Sequence, residues 1–339
     1  MRVFAHMDAD PSRPAGVTRL DWHGPLDGDA FTHPALFYRD HTDYLAATVP
    51  FVRAGLDNGE PVAVAVPGPN LTALKDAVHD DGVLWLDMTE AGRNPGRIIP
   101  GVLRAFADQH PGRRARIIGE PIWAGRSDDE YPACAQHEAL INAAFRGRDA
   151  TILCPYDSSR LSETALADAT ATHPLLVEGD RWWTSPHYAP GQIVDTYNQP
   201  LPQPGEVATY PATWFTPHTL TDIRQWAVGH AARAGLSPDR QDDVAIVVSE
   251  LATNCIDHGD TTGALAGWTT ADSLVFQTSN HTPSGRLDPL AGRLPAPDHQ
   301  RRGRGLLMVN ELADLVRTHT DGTQVTFRVH FTLPEAQAR

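Results

Sequence analysis

Two polar residues one helical turn apart give the first chemical signal in this chain. Glu250 and Asn254 lie in the stretch Val-Ser-Glu-Leu-Ala-Thr-Asn-Cys-Ile-Asp-His-Gly, residues 248–259. Val244, Val247, Val248, Leu251 and Cys255 recur at helical spacing and belong on a buried face. The four-residue step stacks Glu250 and Asn254 on the other face. Gly259 is placed to stop the helix. A carboxylate and a carboxamide stacked this way can hold a hard cation and a reacting water together. The same spacing also occurs on plain solvated faces, so the pair needs support from elsewhere in the chain.

That support comes from residues 301–310, Arg-Arg-Gly-Arg-Gly-Leu-Leu-Met-Val-Asn. Leu306, Val309, Leu312 and Val316 have helical spacing, which puts Gly303 and Gly305 at a helix N-terminus. Glycines there let backbone N–H groups approach an anion, and the helix dipole favours it. Arg301, Arg302 and Arg304 add positive charge in a chain whose net charge is -14. The segment reads as a phosphate site or as a plain basic turn.

The first half of the chain offers a third set. Short apolar runs alternate with helical patterns, which predicts a parallel sheet covered on both faces. Ligands of such sheets sit beyond the carboxyl ends of the strands. Glu120 with Trp123, and Cys154 with Tyr156 and Asp157, are candidates at those ends, joined by His33 and by the His137-Glu138 pair on a helix. A His/Glu/Cys/Asp set can bind a metal. The same residue types also serve as caps and packing groups.

Bulk properties bound the rest. The chain has 339 residues, enough for two domains. Its acidic balance argues against direct nucleic-acid binding and against an anionic membrane surface. No apolar run approaches a membrane span. The three cysteines are widely spaced, which fits a reducing cytoplasm and excludes a disulfide scaffold. Residues 1–30 read as a flexible leader. Residues 31–180 read as an α/β domain with a mostly parallel sheet and helices on both faces. Within it, Asn70 is placed to cap a helix over 70–78, and 100–109 has a helical pattern. Residues 181–213 hold Trp182, Trp183 and six prolines and read as a docked, semi-extended linker. Residues 214–339 carry two amphipathic helices, the second opening at Ser237-Pro238, and end in a strand where Val325, Phe327, Val329 and Phe331 alternate with polar residues. That grouping predicts an α+β two-layer sandwich.

Two resemblances sharpen this picture. Phe51-Val-Arg-Ala-Gly-Leu56, Val66-Pro-Gly-Pro-Asn70, Gly92-Arg-Asn-Pro95, Gly119-Glu-Pro-Ile-Trp123, His137-Glu-Ala-Leu140 and Cys154-Pro-Tyr-Asp157 resemble the MEDS domain, a sensory domain of bacteria and archaea. The likeness implies sensing of a small-molecule ligand and does not identify it. Glu250-Leu-Ala-Thr-Asn254 with His258-Gly259, then Arg302-Gly-Arg-Gly-Leu-Leu307, then Gly322-Thr323, resemble in order and spacing the GHKL (histidine-kinase-like) ATPase fold. Within that superfamily they resemble the bacterial anti-sigma-factor serine/threonine kinases. By that resemblance Asn254 would coordinate Mg²⁺ and Glu250 would act as general base. Gly303 and Gly305 would cradle the phosphates of ATP, with Arg302, Arg304, Leu306 and Thr323 completing the site.

The family's adenine-binding Asp falls here at Asn280, and the nearest glycine, Gly285, comes five residues later. Asn still accepts one hydrogen bond but without charge assistance. The expected partners are a sigma factor or an anti-sigma-antagonist protein, and homodimers are common in the family. Two functions follow from these expectations: a sensor-controlled, cytoplasmic ATP- and Mg²⁺-dependent protein kinase, or a catalytically weak relative that acts by binding the sigma factor or its antagonist.

Overall fold

The computed structural model describes residues 17–24, 26, 28, 30–203, 208–259, 262–281, 287–294 and 303–334. The first half is built on a nine-stranded sheet of β1 (Thr18–Arg19), β2 (Phe31–Thr32), β3 (Pro34–Tyr38), β4 (Val62–Val66), β5 (Val83–Asp87), β6 (Ala115–Gly119), β7 (Ala150–Asp157), β8 (Leu175–Glu178) and β9 (Arg181–Thr184). The order is β1-β9-β8-β3-β7-β6-β4-β5, with β2 also beside β7. The run from β8 to β5 is parallel, and β9 and β1 add an antiparallel edge.

The helices are α1 (His41–Asp57), α2 (Gly68–Val78), α3 (Met88–Ala91), α4 (Pro95–Arg97), α5 (Ala105–Asp108), α6 (Tyr131–Ala144), α7 (Glu163–Thr172) and α8 (Pro190–Thr196). A strand's period of two assigns its residues to opposite faces. In β4, Val62, Val64 and Val66 join the core under α1 and α2, while Ala63 and Ala65 join the core under α6. The sheet is thus buried on both sides, which explains its unbroken apolar runs.

The second sheet is antiparallel: β10 (Ala208–Phe215), β11 (Gly263–Thr269), β12 (Ser273–His281), β13 (Leu315–Thr320) and β14 (Gln324–Thr332), in the order β10-β11-β12-β14-β13. Helices α9 (Leu220–Arg233), α10 (Pro238–His258) and α11 (Gly305–Leu312) cover it. Val244, Val247, Val248, Leu251 and Cys255 of α10 are all buried and share one core with Leu274, Phe276, Val329 and Phe331. The fold is the expected α/β domain followed by a two-layer α+β sandwich.

Several local expectations fail for identifiable reasons. The described part of the leader is docked: Thr18 and Arg19 pair with β9, and Trp22 is 6% exposed and meets the Phe51 ring edge-on at 4.9 Å. The expected linker is largely structured, because Arg181–Thr184 forms β9, Pro190–Thr196 forms α8, and β10 begins at Ala208. The prolines mark its joints. Asn70 does not cap α2, which opens after Pro67. The helix expected over 100–109 opens two residues early, as a π-helical turn over Ile98–Arg104. Val316 lies in β13: α11 stops at Leu312 and Ala313 is already extended. Asp314 fixes that break, accepting from Arg240 Nη2 at 2.5 Å and from the Thr332 amide at 2.8 Å.

Candidate functional site

Helix α10 starts on a Ser237 cap with Pro238 at its first position and ends at Gly259. Its apolar face is fixed in the core, so Glu250 and Asn254 are held half-buried on the opposite side. Asn254 Nδ2 is buried without a hydrogen-bond partner among the described residues. The first residue of α11, Gly305, is packed on Glu250: a Cβ there would overlap the carboxylate. Gly303 has φ +99° and open space where a Cβ would stand. Arg304, at the N-cap of α11, supplies no side-chain hydrogen bond to the helix. Among the described residues no side chain caps the first N–H groups of α11.

A carboxylate and a glycine-flanked helix start thus meet at Glu250 and Gly305, with the Asn254 carboxamide one turn further along α10. This donor set fits a nucleotide polyphosphate with a hard cation, since the N–H groups and dipole suit phosphate and the amide oxygen suits Mg²⁺.

The remaining expected residues divide. Arg302 lies outside the described residues. Asn280 is 7% exposed, in β12 opposite Val325, and abuts the end of α10: a Cβ on Gly259 would come within 2.5 Å of Asn280 Nδ2. Leu306 packs on the Gly292 backbone. Thr323 stands in the turn between β13 and β14, where its amide and hydroxyl both donate to Asp321 Oδ1 at 2.8 Å. That carboxylate sets the turn and uses the hydroxyl proton.

In the first half, three of the candidates, one from a strand, one from a helix and one from the link before β3, come together in one cluster. His33, Glu138 and Cys154 are all fully buried in one cluster. A fourth member, His173, is absent from the sequence-derived set; it stands just past the end of α7. His33 Nε2 lies 3.3 Å from Glu138 Oε2 and 3.4 Å from Cys154 Sγ, and His173 Nε2 lies 3.2 Å from Glu138 Oε2. Tyr156 stands edge-on to His173 at 5.5 Å.

Glu120 belongs to a separate group, accepting from Tyr38 Oη at 3.1 Å and Asn70 Nδ2 at 2.8 Å. Burial pushes its carboxyl up to about 8 against the pull of those two donors. Trp123 lies under the Arg126 guanidinium, 4.3 Å from the ring centre. Asp157 holds a turn, accepting from the Ser159 amide and hydroxyl. His137 is buried but points away from its neighbour Glu138, as one helical step demands, and burial holds it down to about 3.

The two halves are in contact, and α11 is the common element. Asn94 Nδ2 donates to Asn310 O at 2.7 Å, Arg97 Nη2 meets Glu311 Oε1 at 2.7 Å, and Arg93 Nε meets Asp314 Oδ1 at 3.1 Å. Asn198 makes paired bonds with the Thr320 backbone, and Arg317 donates to Asp129 O at 2.8 Å. A cavity of about 190 Å³ lies between the halves, lined by Gln136 and Leu140 on one side and Leu306, Val309 and Phe327 on the other. Glu250, Asn254, Gly303 and Asn280 do not line it. Among the described residues no helix is long and apolar enough to cross a membrane.

Comparison with known families agrees with the two-part architecture. Residues 32–174 match the MEDS family model, described as the MEthanogen/methylotroph, DcmR Sensory domain. Residues 213–329 match the family model of the Histidine kinase-like ATPase domain. Among solved structures the chain is similar to the flagellar accessory protein FlaH from Methanocaldococcus jannaschii, at 9% identity and a TM-score of 0.30, over 48% of this chain and 80% of that one. That likeness is too remote to carry an argument. No curated protein matches.

Proposed function

Taking the chain as a MEDS sensory domain joined to a histidine kinase-like ATPase domain, we propose that it is a signal-responsive anti-sigma regulator. Its second half would act as an ATP- and Mg²⁺-dependent serine/threonine kinase, and its first half would sense a small molecule. The observation that carries the reading is the position of α11. Its first residue, Gly305, rests on Glu250, and its last turn is held by Asn94 and Arg97 of the first domain.

Bound ATP with Mg²⁺ would supply the phosphoryl group and the counter-charge its transfer needs. The chain supplies position. The N–H groups of α11 and Gly303 would hold phosphate oxygens, and the Asn254 carboxamide would hold the cation. Glu250 would orient the hydroxyl of a protein substrate and take its proton. Asn280 would accept from the adenine amino group. The substrate class is a small protein presenting a serine or threonine hydroxyl, of the antagonist type that releases a sigma factor. The net charge of -14 makes a protein partner more plausible than nucleic acid.

Calorimetry with ATP and Mg²⁺ on the full chain tests this first. Mg²⁺-dependent binding supports the kinase reading. No binding at millimolar nucleotide rejects it and leaves a protein-binding module whose adenine contact has lost its charge at Asn280.

A further inference from the structure

We propose that His33, Glu138, Cys154 and His173 are the four ligands of a divalent transition-metal site of the zinc class, built into the core of the first domain. The residues come from four separate elements: the turn between β2 and β3, α6, β7 and the end of α7. Their ligating atoms all lie within 4.8 Å of one another, and each side chain is buried.

The hydrogen bonds around the cluster decide which atoms face its centre. Asn142 Nδ2 donates to Thr172 O at 2.8 Å, which fixes the amide so that its Oδ1 faces His33 Nδ1 at 3.2 Å. An amide oxygen only accepts, so the His33 proton is on Nδ1. His173 Nδ1 faces Ala169 O at 2.9 Å, so its proton is on Nδ1 as well. In their neutral form both rings therefore turn an Nε2 lone pair toward the cluster.

Glu138 Oε2 faces both ring nitrogens, at 3.3 and 3.2 Å, and with the ring protons on Nδ1 it receives no ring proton from either. The Cys154 thiol offers the cluster one weak donor, 3.4 Å from His33 Nε2, so the remaining lone pairs of Glu138 and His173 face one another in a dry interior. A cation at their centre reverses the sign of every one of those interactions. Donation of the far ring nitrogen to a carbonyl is the usual support of a metal-bound histidine.

Size and charge agree. For bonds of about 2.1 Å a tetrahedron has edges of about 3.4 Å. Three of the six separations, 3.2, 3.3 and 3.4 Å, match those edges, and all six lie within 4.8 Å. Two neutral imidazoles, one carboxylate and one thiolate balance a dication, so the site is neutral overall. Burial holds the free Cys154 thiol well above its usual range, hence protonated. The entering ion would displace that one proton to solvent as the metal–sulfur bond forms. An N₂OS set of four protein ligands selects Zn²⁺ over Mg²⁺ or Ca²⁺, which take oxygen ligands.

The test uses the untagged full chain, produced in zinc- and in cobalt-supplemented medium and assayed for bound metal. One equivalent of Zn²⁺ per chain is expected. The cobalt form should be coloured, with the visible bands of tetrahedral Co²⁺ and a thiolate-to-cobalt charge-transfer band. Cys154→Ser should abolish the charge-transfer band, and Glu138→Gln should weaken metal retention at least tenfold. Cys134→Ser, at a buried thiol outside the cluster, should change neither. Wild-type protein that is folded yet carries only trace metal from both media overturns the proposal. So does a charge-transfer band that survives in folded Cys154→Ser. The wild-type measurement stands even where a variant does not fold.

Discussion

Gly305 rests directly on the carboxylate of Glu250, so closely that even a methyl group on Gly305 would overlap it. The contact joins the candidate general base to the candidate phosphate helix without an intervening side chain. It also gives Gly305 a reason to be glycine that is independent of its backbone angles.

Gly305→Ala should therefore push Glu250 off α11 and disturb both ends of the site together. We expect roughly a tenfold or greater loss of Mg²⁺-ATP affinity or phosphoryl transfer, as small displacements of positioned groups commonly produce. Calorimetry and transfer assays check this, with circular dichroism to verify folding. Unchanged binding and turnover would separate Gly305 from the nucleotide site.

Asn280→Asp should tighten Mg²⁺-ATP binding. A charge-assisted hydrogen bond in place of a neutral one is worth about 1–3 kcal/mol, or roughly one to two decades in affinity. Unchanged or weaker affinity would mean that Asn280 does not contact adenine and only packs against the end of α10.

Asn94→Ala should loosen the domain contact from a distance. Asn94 is fully buried, and its loss leaves Asn310 O without its donor, at a cost of about 1–3 kcal/mol. Hydrogen exchange in α11 should rise, and Mg²⁺-ATP affinity should change although no atom of the candidate nucleotide site has been altered. If α11 keeps its protection, the first domain does not hold that helix. Arg97→Ala, at a more exposed ion pair, should cost less, about 0–1 kcal/mol.

Glu120 gives the first domain a pH dependence of definite sign. Its folded-state value is about 8 against an ordinary 4.5, with burial as the main cause. Between those values the folded chain keeps a proton that the unfolded chain has released. Stability therefore falls as pH rises from about 4.5 toward 8 and levels off above, by a few kcal/mol in all as an order of magnitude. Glu120→Gln cannot ionise, so its stability relative to wild type should climb across that window. Urea unfolding of both proteins over the range measures it, and parallel pH curves would refute the assignment.

Much of this was readable in the sequence because it is periodic. The apolar stripe of α10 reports a buried face and lies where its pattern places it, and the apolar set of β14 is buried as well. The alternation hid that Thr326 and Arg328 on the polar face of β14 are also buried, Arg328 against Gln277 and the Pro202 carbonyl. What the sequence hid is non-periodic. His173 is a lone histidine, and only the packing of α7 against α6 and β7 brings it to Glu138. Trp22 sits among polar residues, with no pattern to say that it reaches Phe51. Arg97 and Glu311 look like ordinary solvated charges until the fold sets them 2.7 Å apart. Val316 continued a helical spacing by coincidence, while Asp314 and its two arginine partners impose the break.

One helix shared between two sites has a thermodynamic corollary. If a signal in the first domain shifts α11 and thereby changes nucleotide affinity by some factor, nucleotide must change the affinity for that signal by the same factor. Saturating ATP is then itself an effector of the sensor, and the strength of sensing would follow the energy charge of the cell.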